Sequence, residues 1–168
     1  MQIRAAVVTV SDKGYAGKRE DRSGPLVADL LRGIGAEVVV QTIVPDEPDE
    51  IRRALIHLAD DLELDLVLTT GGTGFTPRDR TPEATRAVVG REAPGLAEVL
   101  RMEGYRRTPL AVLSRGTAGL RGRTLIINLP GSPKAVREGM EVLIPILPHA
   151  VRMARGVDTE HHHEEEHA

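Results

Sequence analysis

The run IRAAVVTV at residues 3–10 has no polar face. It is β-branched and nearly all apolar, so it reads as a strand that other elements must cover on both sides. Residues 36–44 and 64–70 return to strand composition, and residues 110–113 and 124–128 are expected to supply two more strands. Between them lie segments with helical spacing. Leu26, Val27, Leu30, Leu31 and Ile34 follow Pro25 at helical intervals, and Gly33 and Gly35 close that helix. Residues 46–49 (DEPD) open a second helix, with Ile51, Leu55 and Leu58 on its apolar face and His57 beside them as a structural residue. Helices are also expected from Thr81, from Pro94 to about Arg106, and from Ser132 to about Arg155, the last bent or interrupted at Pro145 and Pro148. Residues 11–24, polar and glycine-containing, read as a surface loop. Strands alternating with helices through short connections predict one doubly wound α/β domain, a mostly parallel sheet with helices on both faces.

That domain is expected to span residues 1–157, followed by an acidic, His-rich tail at 158–168 that is expected to be disordered. Over all 168 residues, 22 Lys+Arg face 25 Asp+Glu, a net charge of −3. Five of those acids fall in the last eleven residues, which hold no Lys or Arg, so residues 1–157 carry 22 basic and 20 acidic side chains. A body charge of +2, with only 2% aromatic residues, is unlike a nucleic-acid-binding surface and leaves no platform for stacked bases. A small anionic ligand is the more economical partner. The absence of cysteine removes disulfides, thiolate nucleophiles and Cys-ligated zinc together. No apolar run approaches about 20 residues, so no membrane span is expected. No signal-peptide pattern precedes the first strand, and the cytoplasm is the expected compartment.

Ligands of open parallel sheets bind beyond the carboxyl ends of the strands. Four polar turns are expected to meet there: Ser11-Asp12, residues 45–47, residues 71–79 and residues 128–133. Gly71, Gly72, Thr73 and Gly74 form either a tight strand-to-helix turn or a nest of amides for a phosphate. Their sequence matches neither a Walker A loop nor a G-x-G-x-x-G fingerprint. Asp79, between Arg78 and Arg80, is either paired with its neighbours or a magnesium ligand; Mg²⁺ takes one or two carboxylates together with substrate phosphate oxygens. Asp46 is the candidate second acid; by itself it reads first as the cap of the helix that follows, and the two roles can coexist at a strand's carboxyl end. Ser132 before Pro133 caps a helix whose N-terminus, with Lys134, suits an anion. Ser114-Arg115-Gly116 offers a hydroxyl and a guanidinium, or is an ordinary surface turn. No serine, histidine or cysteine arrangement suggests a nucleophile, so positioning two bound reactants around a metal fits the inventory better.

The turns together carry a resemblance. VTVSD (8–12), DRSGP (21–25), VPDE (44–47), TTGGTGFTPRDRTPEAT (69–85), EAPGL (92–96), LSRGTAGLRG (113–122) and LIINLPGSPKAV (125–136) resemble the MogA-type molybdopterin adenylyltransferases and the G domains of gephyrin-like proteins. The resemblance runs in order from residue 3 to residue 155. It implies the molybdopterin-binding α/β fold, a trimer, and Mg²⁺- and ATP-dependent transfer of AMP to the terminal phosphate of molybdopterin with release of pyrophosphate. It also implies handover of adenylyl-molybdopterin to a MoeA-type molybdate-inserting protein. By the same resemblance the essential aspartates are Asp46 and Asp79. Pterin-phosphate and nucleotide contacts fall on Gly71, Gly72, Thr73, Gly74, Ser114, Asn128, Pro130, Gly131 and Ser132, with Ser11, Asp12, Thr81 and Glu83 lining the same pocket. MoaB-type relatives share the fold and similar motifs, so a non-catalytic molybdopterin carrier is the alternative function. Phe75, the lone phenylalanine, is expected to prop the glycine loop by packing, or else to touch a flat ring.

Overall fold

The computed structural model describes residues 1–157; the tail at 158–168 lies outside the described residues. Six strands form one sheet in the order β2-β1-β3-β6-β5-β4. They are β1 (Arg4–Val10), β2 (Glu37–Val44), β3 (Leu66–Thr70), β4 (Arg91–Glu92), β5 (Ala118–Arg121) and β6 (Thr124–Leu129). β2, β1, β3 and β6 run parallel, whereas β5 is antiparallel to β6 and β4 to β5.

The apolar strands alternate between two cores. Ala5 and Val7 of β1, Leu66 and Leu68 of β3, and Leu125, Ile127 and Leu129 of β6 face one side. Ala6, Val8 and Val10, Val67, and Ile126 face the other. This period of two, with both faces buried, is why these runs contain no polar alternation. On the first face lie α2 (Ser23–Gly33), α6 (Pro133–Leu143) and α7 (Leu147–Ala154), which contribute Val27, Leu31, Val136, Met140, Leu143, Leu147 and Val151. The second face is covered by α3 (Pro48–Ile56), a π-helical turn at His57–Asp61, and α4 (Thr81–Val88), through Ile51, Leu55, Leu58, Ala84 and Val88. The sheet is doubly wound and mostly parallel, as expected.

Three local expectations change. Residues 110–113 are not a strand but part of a 3₁₀ turn, Pro109–Leu113, that leaves Leu110, Val112 and Leu113 exposed. Pro109 lacks a ladder donor, and an apolar stretch with no neighbouring strand has no reason to extend. The strand is β5 instead, whose composition, AGLR, carries little β signal. Residues 11–24 hold a short helix, α1 (Asp12–Tyr15), and the start of α2, which begins at Ser23 rather than Pro25. His57 is exposed, with Nδ1 2.8 Å from an Asp61 carboxylate oxygen, so it does not belong to the apolar face. As expected, the last helix is interrupted: Pro145 falls between α6 and α7, and Pro148 sits in the first turn of α7. The fifth helix, α5 (Pro94–Arg107), buries only Ala97. Among the described residues, no helix is long and apolar enough to cross a membrane.

Candidate active site

The chain leaves β1 for β2 on one side and returns to β3 on the other, so the strand order reverses between β1 and β3. Loops leaving two strands at such a point diverge and open a crevice. A cavity of about 640 Å³ lies there. Its walls include Thr9, Val10 and Ser11 from the end of β1, Asp46 after β2, Thr70, Gly71, Gly72 and Asp79 after β3, and Gly131 and Ser132 after β6. All four predicted turns therefore meet at one edge.

The glycine turn has this shape because no side chain fits it. Gly72 has φ +69°, and a Cβ there would lie 2.2 Å from the Thr81 hydroxyl and 3.2 Å from Asp46 Oδ1. A Cβ on Gly74 would lie 2.8 Å from Asp79 Oδ2. The turn thus runs between the two carboxylates, close to each. Thr81 is fully buried; its hydroxyl donates to the Gly71 carbonyl at 3.0 Å and its N–H to the Gly72 carbonyl at 3.1 Å. Thr81 holds the turn and does not line the cavity. The Gly71 N–H donates to the Leu129 carbonyl at 3.1 Å, so that amide belongs to the β3–β6 junction rather than to an anion nest.

Asp46 and Asp12 bond reciprocally. The Asp12 N–H donates to Asp46 Oδ2 at 2.8 Å and the Asp46 N–H to Asp12 Oδ1 at 2.9 Å. Asp46 accepts no hydrogen bond from α3, so it does not cap that helix; the backbone cap of α3 is Glu47, without a side-chain bond. Burial pushes the Asp46 carboxyl above the usual aspartate range, and the charges of Asp12 and Asp79 add to the effect, against the Asp12 amide and Arg78. Asp12 goes the other way. The Arg78 guanidinium forks onto both its oxygens at 3.0 Å and holds its pKa down, aided by the Asp46 amide. Arg78 also reaches Glu47 at 2.7 Å. Asp12 therefore braces the Asp46 turn from outside the cavity.

Asp79 Oδ2 accepts from the Thr76 N–H and hydroxyl, both at 2.9 Å, in a small turn that presents the side chain to the cavity. Glu83 does not reach the cavity, because its carboxylate pairs with Arg115. Burial works against that charge, but the Arg115 and backbone hydrogen bonds and the charges of Arg115 and Arg80 hold its pKa below the usual range. Asn128 is 3% exposed and its carboxamide is fully engaged. It accepts from the Thr117 N–H at 3.1 Å and donates to the Thr69 and Thr85 hydroxyls at 3.0 Å each. Its side chain ties β6 to β3 and α4.

A second, more apolar groove of about 360 Å³ adjoins the first. Thr73, Gly74, Ser114 and Pro130 line it beside Leu100 of α5 and Leu113, and Ser132 is common to both spaces. The Ser132 hydroxyl caps α6 by accepting from the Ala135 N–H at 3.1 Å. Ser11 caps α1 in the same way, accepting from the Gly14 N–H at 3.0 Å.

Among the described residues no group of three or more acids or histidines is placed to hold a metal alone. Asp46 and Asp79 supply two carboxylates at one cavity, and Mg²⁺ ordinarily completes such a pair with substrate phosphate oxygens and water. The donor set fits that ion.

A cavity at the switch point, walled by paired carboxylates, a glycine turn and a helix N-terminus, is the ligand-site architecture of an open, mostly parallel α/β sheet. The family model described as "Probable molybdopterin binding domain" matches residues 6–149, and the chain belongs to that family. The molybdopterin adenylyltransferase of Helicobacter pylori strain J99 is 41% identical over 160 residues, covering 92% of this chain and 89% of that protein. The molybdenum cofactor synthesis protein cinnamon of Drosophila melanogaster is 45% identical over 152 residues, 90% of this chain but only 25% of the fly protein. Among solved structures, the molybdopterin biosynthesis enzyme MoaB of Thermus thermophilus superposes with a TM-score of 0.88 at 54% identity, covering 92% of this chain and 98% of that one.

Proposed function

We propose that this protein acts in molybdenum cofactor biosynthesis as a cytoplasmic molybdopterin adenylyltransferase. The observation that carries the reading is the pair Asp46 and Asp79, set on either side of the glycine turn at one cavity in a chain of this family. The terminal phosphate of molybdopterin attacks the α-phosphorus of ATP. The bond from that phosphorus to the bridging oxygen breaks, AMP is transferred, and pyrophosphate leaves. Bound Mg²⁺, held by Asp46 and Asp79, would neutralise charge on the polyphosphate. The glycine backbone at Gly72 and the N-terminus of α6 at Ser132 orient the crowded phosphate oxygens. An ionised phosphate nucleophile needs no general base, and no histidine lines the cavity among the described residues. The adenylylated product then passes to a MoeA-type molybdate-inserting protein.

Incubation of the purified protein with molybdopterin, Mg²⁺ and ATP is expected to release pyrophosphate and yield adenylyl-molybdopterin. Tight pterin binding without pyrophosphate release would replace this reading with the carrier function.

The proposal includes a homotrimer. Met102, Tyr105, Leu110, Val112 and Leu113 are exposed on α5 and the 3₁₀ turn after it, an apolar edge that a single chain leaves in water. Sedimentation equilibrium should give the mass of three chains; a species of 18.2 kDa would exclude the trimer.

A further inference from the structure

The loop that carries Asp79 is exposed through its central residues. It leaves β3 at Gly71 and enters α4 at Thr81, and Phe75, Thr76, Pro77 and Arg78 between them are exposed. Thr81 ties down its ends at Gly71 and Gly72, and Arg78 anchors its outer side on Asp12 and Glu47; its middle is held by Arg115, from across the sheet edge. The Arg115 N–H donates to the Thr73 carbonyl at 2.8 Å. Its guanidinium then uses each nitrogen separately: Nε donates to the Gly74 carbonyl at 2.8 Å, Nη2 to the Asp79 carbonyl at 2.8 Å, and Nη1 to the Glu83 carboxylate. The backbone is thereby held before the Asp79 turn and at Asp79 itself, and the guanidinium is anchored on a side chain in the first turn of α4. Glu83 Oε2 is buried without a partner, so the carboxylate is in place for its other oxygen, the one bonded to Arg115.

We propose that Arg115 is the positioning residue for Asp79, a planar fork that fixes where that carboxylate stands relative to Asp46, with Glu83 as its anchor rather than a substrate ligand. The role as stated for catalysis rests on the adenylyl-transfer reading; the role in holding the loop does not. A flexible ammonium cannot bond three divergent acceptors in one plane, so lysine keeps the charge and loses the device. Misplacement of a catalytic group by about 1 Å can cost on the order of 10²-fold in rate.

The test uses the full chain with Arg115→Lys, Thr76→Val and the control Arg121→Lys. Arg121 is a comparable fork on β5, bonded to Asp60 and the Val88 carbonyl away from the cavity. Three quantities are measured: pyrophosphate release as a function of Mg²⁺, Tm, and hydrogen exchange of the Thr76 and Asp79 amides. Arg115→Lys is expected to lower kcat about 10- to 100-fold, with KM for molybdopterin within about twofold. The Mg²⁺ needed for half-maximal rate should rise several-fold, and the two amides should exchange at least about tenfold faster. Thr76→Val, which removes only the hydroxyl bond to Asp79 from an exposed loop, should raise the Mg²⁺ requirement with unchanged Tm. Arg121→Lys should lower Tm as much as Arg115→Lys does and change neither the rate nor those amides. The proposal is overturned if Arg115→Lys leaves exchange and Mg²⁺ dependence at wild-type values, or if Arg121→Lys reproduces its losses. If wild-type protein releases no pyrophosphate, the adenylyl-transfer reading fails, and the exchange comparison alone still decides whether Arg115 holds the loop.

Discussion

Asp46→Asn and Asp79→Asn should each lower kcat for pyrophosphate release by about 10²–10⁴-fold, the range of single-group catalytic losses, while KM for molybdopterin changes little. Asparagine is the sharper replacement because it preserves the local bonds. At position 46 an amide oxygen can still accept from the Asp12 N–H, and at position 79 from the Thr76 N–H. What disappears is the charge. The two variants should differ in stability. The Asp46 carboxyl titrates above the usual aspartate range, chiefly because it is buried and then because Asp12 and Asp79 repel it. A carboxyl whose native pKa exceeds its unfolded one is ionised at neutral pH at a cost to the fold, and protonation favours the native state. Asp46→Asn should therefore leave Tm at or above wild type as activity collapses, a separation expected of a group kept for function. The same shift sets the sign of the pH dependence. In the metal-free protein Asp46 is protonated before an ordinary aspartate as pH falls, so Mg²⁺ affinity should begin to weaken above that range. Asp46→Asn should remove that pH dependence from Mg²⁺ binding. Near-wild-type rates in both variants would sink the assignment of the metal pair.

What can be read from the chain is the part written in side-chain polarity. β1, β3 and β6 are buried on both faces and lack polar alternation, so their existence, their parallel pairing and the convergence of their ends follow from composition. Asp46 stands just after β2 and Asp79 in the loop after β3, each close to the glycine turn. Elements defined by backbone partners are not legible in the same way. β5 is AGLR, and it is a strand because Ala118 to Arg121 pair with β6, whereas the more strand-like PLAVL finds no neighbour and coils. Phe75, expected to prop the glycine loop, is 70% exposed, and the loop is held by Arg115 and Thr81 instead. Asn128 and Glu83 occupy motif positions, but their functional groups point to Thr69, Thr85 and Arg115. A motif marks which residues matter together. Whether one touches ligand or holds another that does depends on contacts over tens of residues of separation, which spacing along the chain does not encode.

Gly71→Ala should be the most damaging small substitution in the molecule, lowering stability by roughly 2–5 kcal/mol and abolishing measurable transfer. Two separate costs combine there. Gly71 has φ +96°, a region that L residues rarely adopt. A Cβ would also lie 2.4 Å from the Val10 carbonyl oxygen, an atom of the β1 backbone that cannot swing aside as a side chain could. Val10 is paired with Val44 of β2, Gly71 donates to Leu129 of β6, and Gly131 approaches so closely that its own Cβ would lie 3.4 Å from the Gly71 Cα. Four strand ends therefore meet around one position, and moving any of them moves a wall of the cavity. Other glycines separate the two costs. Gly35 has φ +84° and nothing within 4 Å of where a methyl group would sit, so Gly35→Ala carries the conformational cost alone, on the order of 1 kcal/mol. Gly33, helical with open space around it, should be neutral or slightly stabilising as alanine. Urea unfolding of the three variants should rank them Gly33→Ala, Gly35→Ala, Gly71→Ala in falling stability, with activity lost only in the last. A Gly71→Ala protein within about 1 kcal/mol of Gly35→Ala and still active would mean that β1 yields at Val10, and that the glycine turn is not the rigid floor on which Asp46 and Asp79 are set.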